Sequence, residues 1–113
     1  MSEGDIVKAA LNQIDGKIKF RPVLLLKKMP PYGDWLVCGI TSQLQNKVEN
    51  FDLMLNEDDP DFKETGLVRT SLIRPGFMAV IPENVIEGTI GKISDLKYNV
   101  LINIIIKHLK KEI

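Results

Sequence analysis

The run Arg21-Pro22-Val23-Leu24-Leu25-Leu26 constrains the fold more than any other stretch. Four aliphatic residues in a row, with no polar break, cannot alternate between core and water. They predict a strand buried on both faces, or one in a barrel wall. Lys19 and Phe20 extend it upstream, so the strand is expected over Lys19 to Leu26. Pro22 has no backbone N–H to donate and fits best at the strand's beginning or edge. Arg21 then stands at the mouth of a hydrophobic strand. Its guanidinium stays charged at any ordinary pH and presents a planar fork of donors suited to phosphate. The same position also reads as an ordinary surface arginine at a strand entrance.

The rest of the chain supplies further short strands. Gly4-Asp5 reads as a turn into a strand over Ile6 to Leu11. Asn12 to Lys17 is a polar loop with Asp15-Gly16 as its tight turn. Lys27 to Gly33 holds Pro30-Pro31 and reads as a loop. Asp34 to Thr41 is a nearly apolar strand, and Gly39 inside it signals a bulge or a close backbone approach. Phe51 to Leu55 is a short strand, and the acidic stretch Glu57 to Asp61 reads as a solvated loop. Leu67 to Ile73 mixes apolar and polar residues, Arg74-Pro75-Gly76 reads as a turn, and Phe77 to Ile81 is a further strand. Pro82-Glu83-Asn84 can open a helical turn over Val85 to Glu87, and a last short strand ends at Lys92-Ile93.

Ser94 is a good N-cap with Asp95 in the first turn. Leu96, Val100, Leu101, Ile104, Ile105, His108 and Leu109 follow at three- and four-residue spacing, with Lys107, Lys110 and Lys111 near the end. That is the pattern of an amphipathic helix. Many short strands followed by one helix predict a mainly β protein, a small barrel or curled sheet with a C-terminal helix packed on it.

Composition narrows the chemistry. The 113 residues are expected to form a single domain, 1–113, with a core large enough to need no metal or disulfide. Fifteen basic residues balance fifteen acidic ones, which argues against charge-driven duplex binding but leaves room for a local basic cleft. Cys38 is the one cysteine and reads as a buried core thiol in a reducing compartment. One cysteine and one histidine speak against structural zinc. The N-terminus lacks a signal-peptide pattern and no apolar run approaches a membrane span, so a cytoplasmic protein without a membrane partner is expected.

Gly88 and Gly91 lack the rest of any phosphate-binding loop, and there is no nucleophile elbow or metal-binding histidine pair. His108 reads as a partly covered helix residue. Polar residues at strand ends remain: Arg21; Thr41, Ser42 and Gln43; and Arg69, Thr70 and Ser71. If these ends converge, two guanidiniums and several hydroxyls would suit an oxyanion or phosphate. Thr41 and Ser42 could equally do no more than satisfy a turn.

Gly4-Asp5-Ile6-Val7, Arg21-Pro22-Val23-Leu24-Leu25-Leu26, Ile40-Thr41-Ser42-Gln43 and Thr65-Gly66-Leu67-Val68-Arg69 occur in an order and spacing that resembles the MazF/PemK toxin family. The resemblance runs from Gly4 to the terminal helix. It implies a small SH3-like β-barrel, a homodimer, and a toxin of a type II toxin–antitoxin system neutralised by a cognate antitoxin. It also implies metal-independent endoribonuclease chemistry on single-stranded RNA, without a cofactor, leaving a 2′,3′-cyclic phosphate and a 5′-hydroxyl.

By position, Arg21 resembles the family's catalytic arginine, Thr41 its catalytic threonine, and Arg69 a second arginine used by some members. Ser42, Gln43, Arg69 and Ser71 are then expected to contact RNA. Ser71 stands where some members carry an aspartate, which removes a possible base. Asp15 is the one carboxylate in the first loop and the remaining candidate. Two other readings stay open: a non-catalytic SH3-like binding module descended from such a toxin, and, by analogy of fold, a toxin directed at a topoisomerase.

Overall fold

A computed structural model describes residues 1–12 and 14–111. Gln13, in the expected first loop, lies outside the described residues. The strands are β1 (Asp5–Asn12), β2 (Ile18–Met29), β3 (Asp34–Thr41), β4 (Leu53–Leu55), β5 (Ser71–Ile81) and β6 (Ile86–Lys92), followed by helix α1 (Asp95–Leu109). They form one antiparallel sheet in the order β4-β5-β3-β2-β1-β6. The sheet curls into a half-barrel, as the mainly β expectation with a C-terminal helix required.

Val23 to Leu26 are all buried, and they explain the curl. Leu24 and Leu26 face one apolar cluster with Ile6, Cys38, Ile40, Leu55, Ile73, Leu101 and Ile105. Val23 and Leu25 face a second, with Val7, Ala9, Trp35, Val37 and Ile81. Helix α1 covers the first face through Leu101 and Ile105. The sheet's own curvature encloses the second, with Val85 and Ile86 packed against it. Ser94 caps α1 as expected, its Oγ accepting from Lys97 N at 3.2 Å. Tyr98 Oη donates to Leu26 O at 2.7 Å and pins the helix to the central strand.

Several expectations need correction. β2 continues to Met29 instead of stopping at Leu26, because Lys27, Lys28 and Met29 keep pairing with β3 beyond an irregularity at Leu25/Lys27. β4 starts at Leu53, since Phe51 and Asp52 belong to a turn in which Asp52 Oδ2 accepts from Val48 N at 2.9 Å. Arg74-Pro75-Gly76 is not a turn between two strands. β5 runs through it, and the ladder passes from Gly39↔Arg74 to Cys38↔Met78. One step on β3 therefore matches four on β5, and Pro75, Gly76 and Phe77 form a bulge. Only residues 83–85 form the expected helical turn, and β6 begins at Ile86.

The acidic stretch is also less solvated than expected. Lys97 Nζ donates to Asp59 Oδ2 at 2.9 Å and to Asp61 Oδ1 at 2.6 Å, tying that loop to the first turns of α1. The helix is rotated from its expected face. Tyr98, Leu101, Ile102 and Ile105 pack inward, whereas Leu96 and Leu109 are 75% and 72% exposed. Lys110 and Lys111 fall beyond its last residue.

At the sheet's far side, the turn Phe62–Thr65 packs on β6. Gly66, with φ of +71°, meets Gly91 there. A Cβ on Gly66 would collide with Ile90 O, and one on Gly91 with the backbone of Thr65. Only glycine permits this approach.

Candidate active site

A cleft of about 620 Å³ opens on the face of the sheet that holds Val23. Strand register explains its lining. Ala9 pairs with Arg21, Val23 with Gly39, and Gly39 with Arg74. Side chains two residues apart share a face, and continuing the β2/β3 register by two residues sets Arg21 opposite Thr41. Asp15 comes in from the tip of the β1–β2 connection, where its Oδ1 accepts from Lys17 N at 3.0 Å and fixes the turn. Asp15, Arg21, Thr41 and Arg74 all line the cleft, together with Leu11, Pro22, Gly39 and Phe77.

Each strand contributes for a local reason. Pro22 faces Lys8 within the β1/β2 ladder, and the apolar run behind it anchors Arg21 while leaving the arginine itself exposed. Thr41 is the last residue of β3, and its Oγ1 accepts from Gln43 N at 3.1 Å. That bond satisfies the turn and uses only a lone pair, so the hydroxyl proton remains able to donate. The β5 bulge re-aims its strand. Phe77 folds back over Gly39, where an added Cβ would lie 2.7 Å from Phe77 Cδ1.

The other expected residues lie outside the cleft lining. Ser42 and Gln43 are exposed just past β3, and Gln43 Oε1 accepts from Gln45 Nε2 at 2.6 Å. Arg69 is exposed before β5. Ser71 is buried, and its Oγ donates to Arg69 O at 2.9 Å. Sequence reasoning missed Arg74 and Phe77 because Arg74-Pro75-Gly76 carried a turn signal. The apolar residues on both sides of that signal were the available hint that one strand passes through it.

Cys38 is fully buried behind this face, and burial pushes its thiol up to about 12. It is a packing residue and not a nucleophile. Arg21 and Arg74 each bring a guanidinium to the lining. The cleft therefore offers fixed positive charge, a hydroxyl donor and one carboxylate around an open space, a set suited to an anionic, phosphate-bearing ligand.

The toxin MazF-mt6 of Mycobacterium tuberculosis has the same fold, with a TM-score of 0.67 and 22% sequence identity over 89% of this chain and 91% of that one. No curated protein sequence gives a significant match. The family described as PemK-like, MazF-like toxins of type II toxin–antitoxin systems matches residues 2–109. The chain belongs to that family of toxins.

Proposed function

We propose that the protein is an endoribonuclease toxin that cleaves single-stranded RNA without a metal or other cofactor. The observation that carries this reading is the meeting of Asp15, Arg21 and Thr41, from three separate segments, in one cleft. In the reaction, the ribose 2′-oxygen attacks the adjacent phosphorus while its proton passes to a base. The bond to the 5′-oxygen breaks, and that oxygen takes up a proton. The products are a 2′,3′-cyclic phosphate and a 5′-hydroxyl.

Arg21 stabilises the charge that builds on the non-bridging oxygens. It is a poor base because it does not release its proton. Thr41 orients the phosphate through its hydroxyl. Asp15 is the carboxylate available as proton acceptor, and general acid–base catalysis of this kind contributes roughly 10²–10⁴-fold. Ser42, Gln43 and Arg69 contact RNA beyond the scissile phosphate, with Ser71 holding the Arg69 backbone. The working form in this reading is a cytoplasmic homodimer, neutralised by a cognate antitoxin that covers the cleft.

Purified protein incubated with single-stranded RNA in chelator tests the proposal. Cleavage leaving cyclic phosphate ends is expected from wild type and is abolished in Arg21→Ala, which keeps its fold. RNA left intact over a broad range of sequences would overturn it.

A further inference from the structure

We propose that Arg74 is a second phosphate-binding cation of the cleft, acting beside Arg21 on the backbone of single-stranded RNA. The inference deepens the ribonuclease reading and rests on it. Arg74 precedes the β5 bulge, pairs with Gly39 and lines the same cleft as Arg21 and Thr41. The ring of Phe77 takes the space that a side chain at position 39 would fill, so Phe77 and Arg74 flank the same stretch of the cleft. β3 alone separates β2 from β5, and Arg74 stands across from Val23, two residues along β2 from Arg21, so the two arginines spring from backbones roughly 12 Å apart, two interstrand spacings and two residues of strand rise. Long guanidinium side chains span that gap to meet one phosphate from two sides.

The state of Arg74 is what makes it a candidate. Its Nε is buried and has no hydrogen-bond partner among the described residues. None of the ion pairs among them involves Arg74. A cationic N–H withdrawn from water and left unbonded is unfavourable, and such groups in native proteins call for an explanation. An anionic oxygen in the cleft supplies the missing acceptor once the Arg74 side chain turns its Nε toward it. The other buried orphan among the described residues, Trp35 Nε1, is neutral and belongs to the enclosed apolar cluster. Arg69, the arginine singled out by sequence, is exposed and does not line the cleft.

The test measures binding apart from chemistry. The probe is a fluorescent single-stranded RNA oligomer with 2′-O-methyl groups throughout, which removes the attacking hydroxyl. Affinity is measured across a range of salt for wild type, Arg74→Gln, Arg74→Lys and the control Lys110→Gln, with melting curves for each. Arg74→Gln is expected to bind about tenfold or more weakly and to lose about 0.7 from the salt slope, one phosphate contact on a single strand. Arg74→Lys is expected to keep the wild-type slope but bind several-fold more weakly, because an ammonium cannot reproduce the fork. Lys110→Gln is expected to match wild type.

A folded Arg74→Gln with wild-type affinity and slope overturns the proposal. Should Arg74→Gln fail to fold, wild-type affinity in Arg74→Lys overturns it instead. Cleavage of unmodified RNA is followed in parallel. Binding that depends on Arg74, with no cleavage by wild type, removes the ribonuclease reading and leaves Arg74 as an RNA contact. Cleavage by wild type with no effect of Arg74 on binding does the reverse.

Discussion

The ring of Phe77 lies over the bare backbone of Gly39, so close that a Cβ at position 39 would sit 2.7 Å from Phe77 Cδ1 and 3.1 Å from Cγ. The glycine on β3 thus sets where the β5 bulge carries its aromatic residue, and both residues line the cleft.

Gly39→Ala is therefore expected to expel the ring from the cleft. Overpacking of this kind costs about 1–3 kcal/mol. Phe77 is 47% exposed and can swing outward, so the fold should survive. Thermal melting should show a moderate loss of stability, and the RNA cleavage assay a larger loss of activity. An unchanged melting temperature and unchanged cleavage would show that the ring has no part in shaping the site.

Thr41 has two tasks, and substitutions separate them. Its Oγ1 accepts from Gln43 N, and in the proposed reaction its hydroxyl donates to phosphate. Thr41→Ser retains both and should keep cleavage within about threefold of wild type. Thr41→Val loses both, and should lower kcat by roughly 10²-fold, the scale of one lost oxyanion donor. It should also lower stability by about 1 kcal/mol for the lost turn bond. Melting and single-turnover kinetics distinguish the two effects.

The Lys97–Asp59–Asp61 cluster sets an acid limb of stability. Hydrogen bonds from Lys97 hold both carboxyls below the usual carboxylate value of 3.8. Their contribution is complete above that value and is lost as the pH falls through the lower folded values. Burial alone would lower Lys97, but its bonds to Asp61 and Asp59 outweigh this and raise it above 10.5. Its contribution is complete below 10.5 and is lost as the pH rises through the folded value. Lys97→Met should melt lower than wild type by a constant margin between about pH 5 and 9, with the margin shrinking toward pH 2. A margin independent of pH would remove the ion pairs as its cause.

The thiol of Cys38, pushed up to about 12 by burial, should resist alkylation in the native protein. At pH 8, iodoacetamide labelling is expected to be at least about 100-fold slower than in denaturant. Fast native labelling would show that the central strands open readily.

Val23 to Leu26 announced a doubly covered strand because burial on both faces leaves a direct mark in composition, and Ser94 announced a helix start because capping is local chemistry. The β5 bulge left no such mark. Arg74-Pro75-Gly76 has the composition of a turn, and only pairing with a strand more than thirty residues earlier carries the chain through it. Arg21 and Thr41 stood out in the sequence as polar residues at strand ends, and Asp15 through the family resemblance, whereas Arg74 came to line the same cleft only through register. The face of α1 was obscured differently. Its isoleucine-rich circumference offers more than one apolar stripe, and Tyr98, which reaches Leu26 O, selects among them.

The meeting of Gly66 and Gly91 carries a consequence for the cleft. The chain between them contains all of β5, including Arg74 and Phe77, so that strand is strung between two ends fastened at a single point. The fastening is backbone against backbone, with no side chain to yield. A side chain at position 66 or 91 would have to force that crossing apart, while β5 itself stays held by its ladders to β3 and β4.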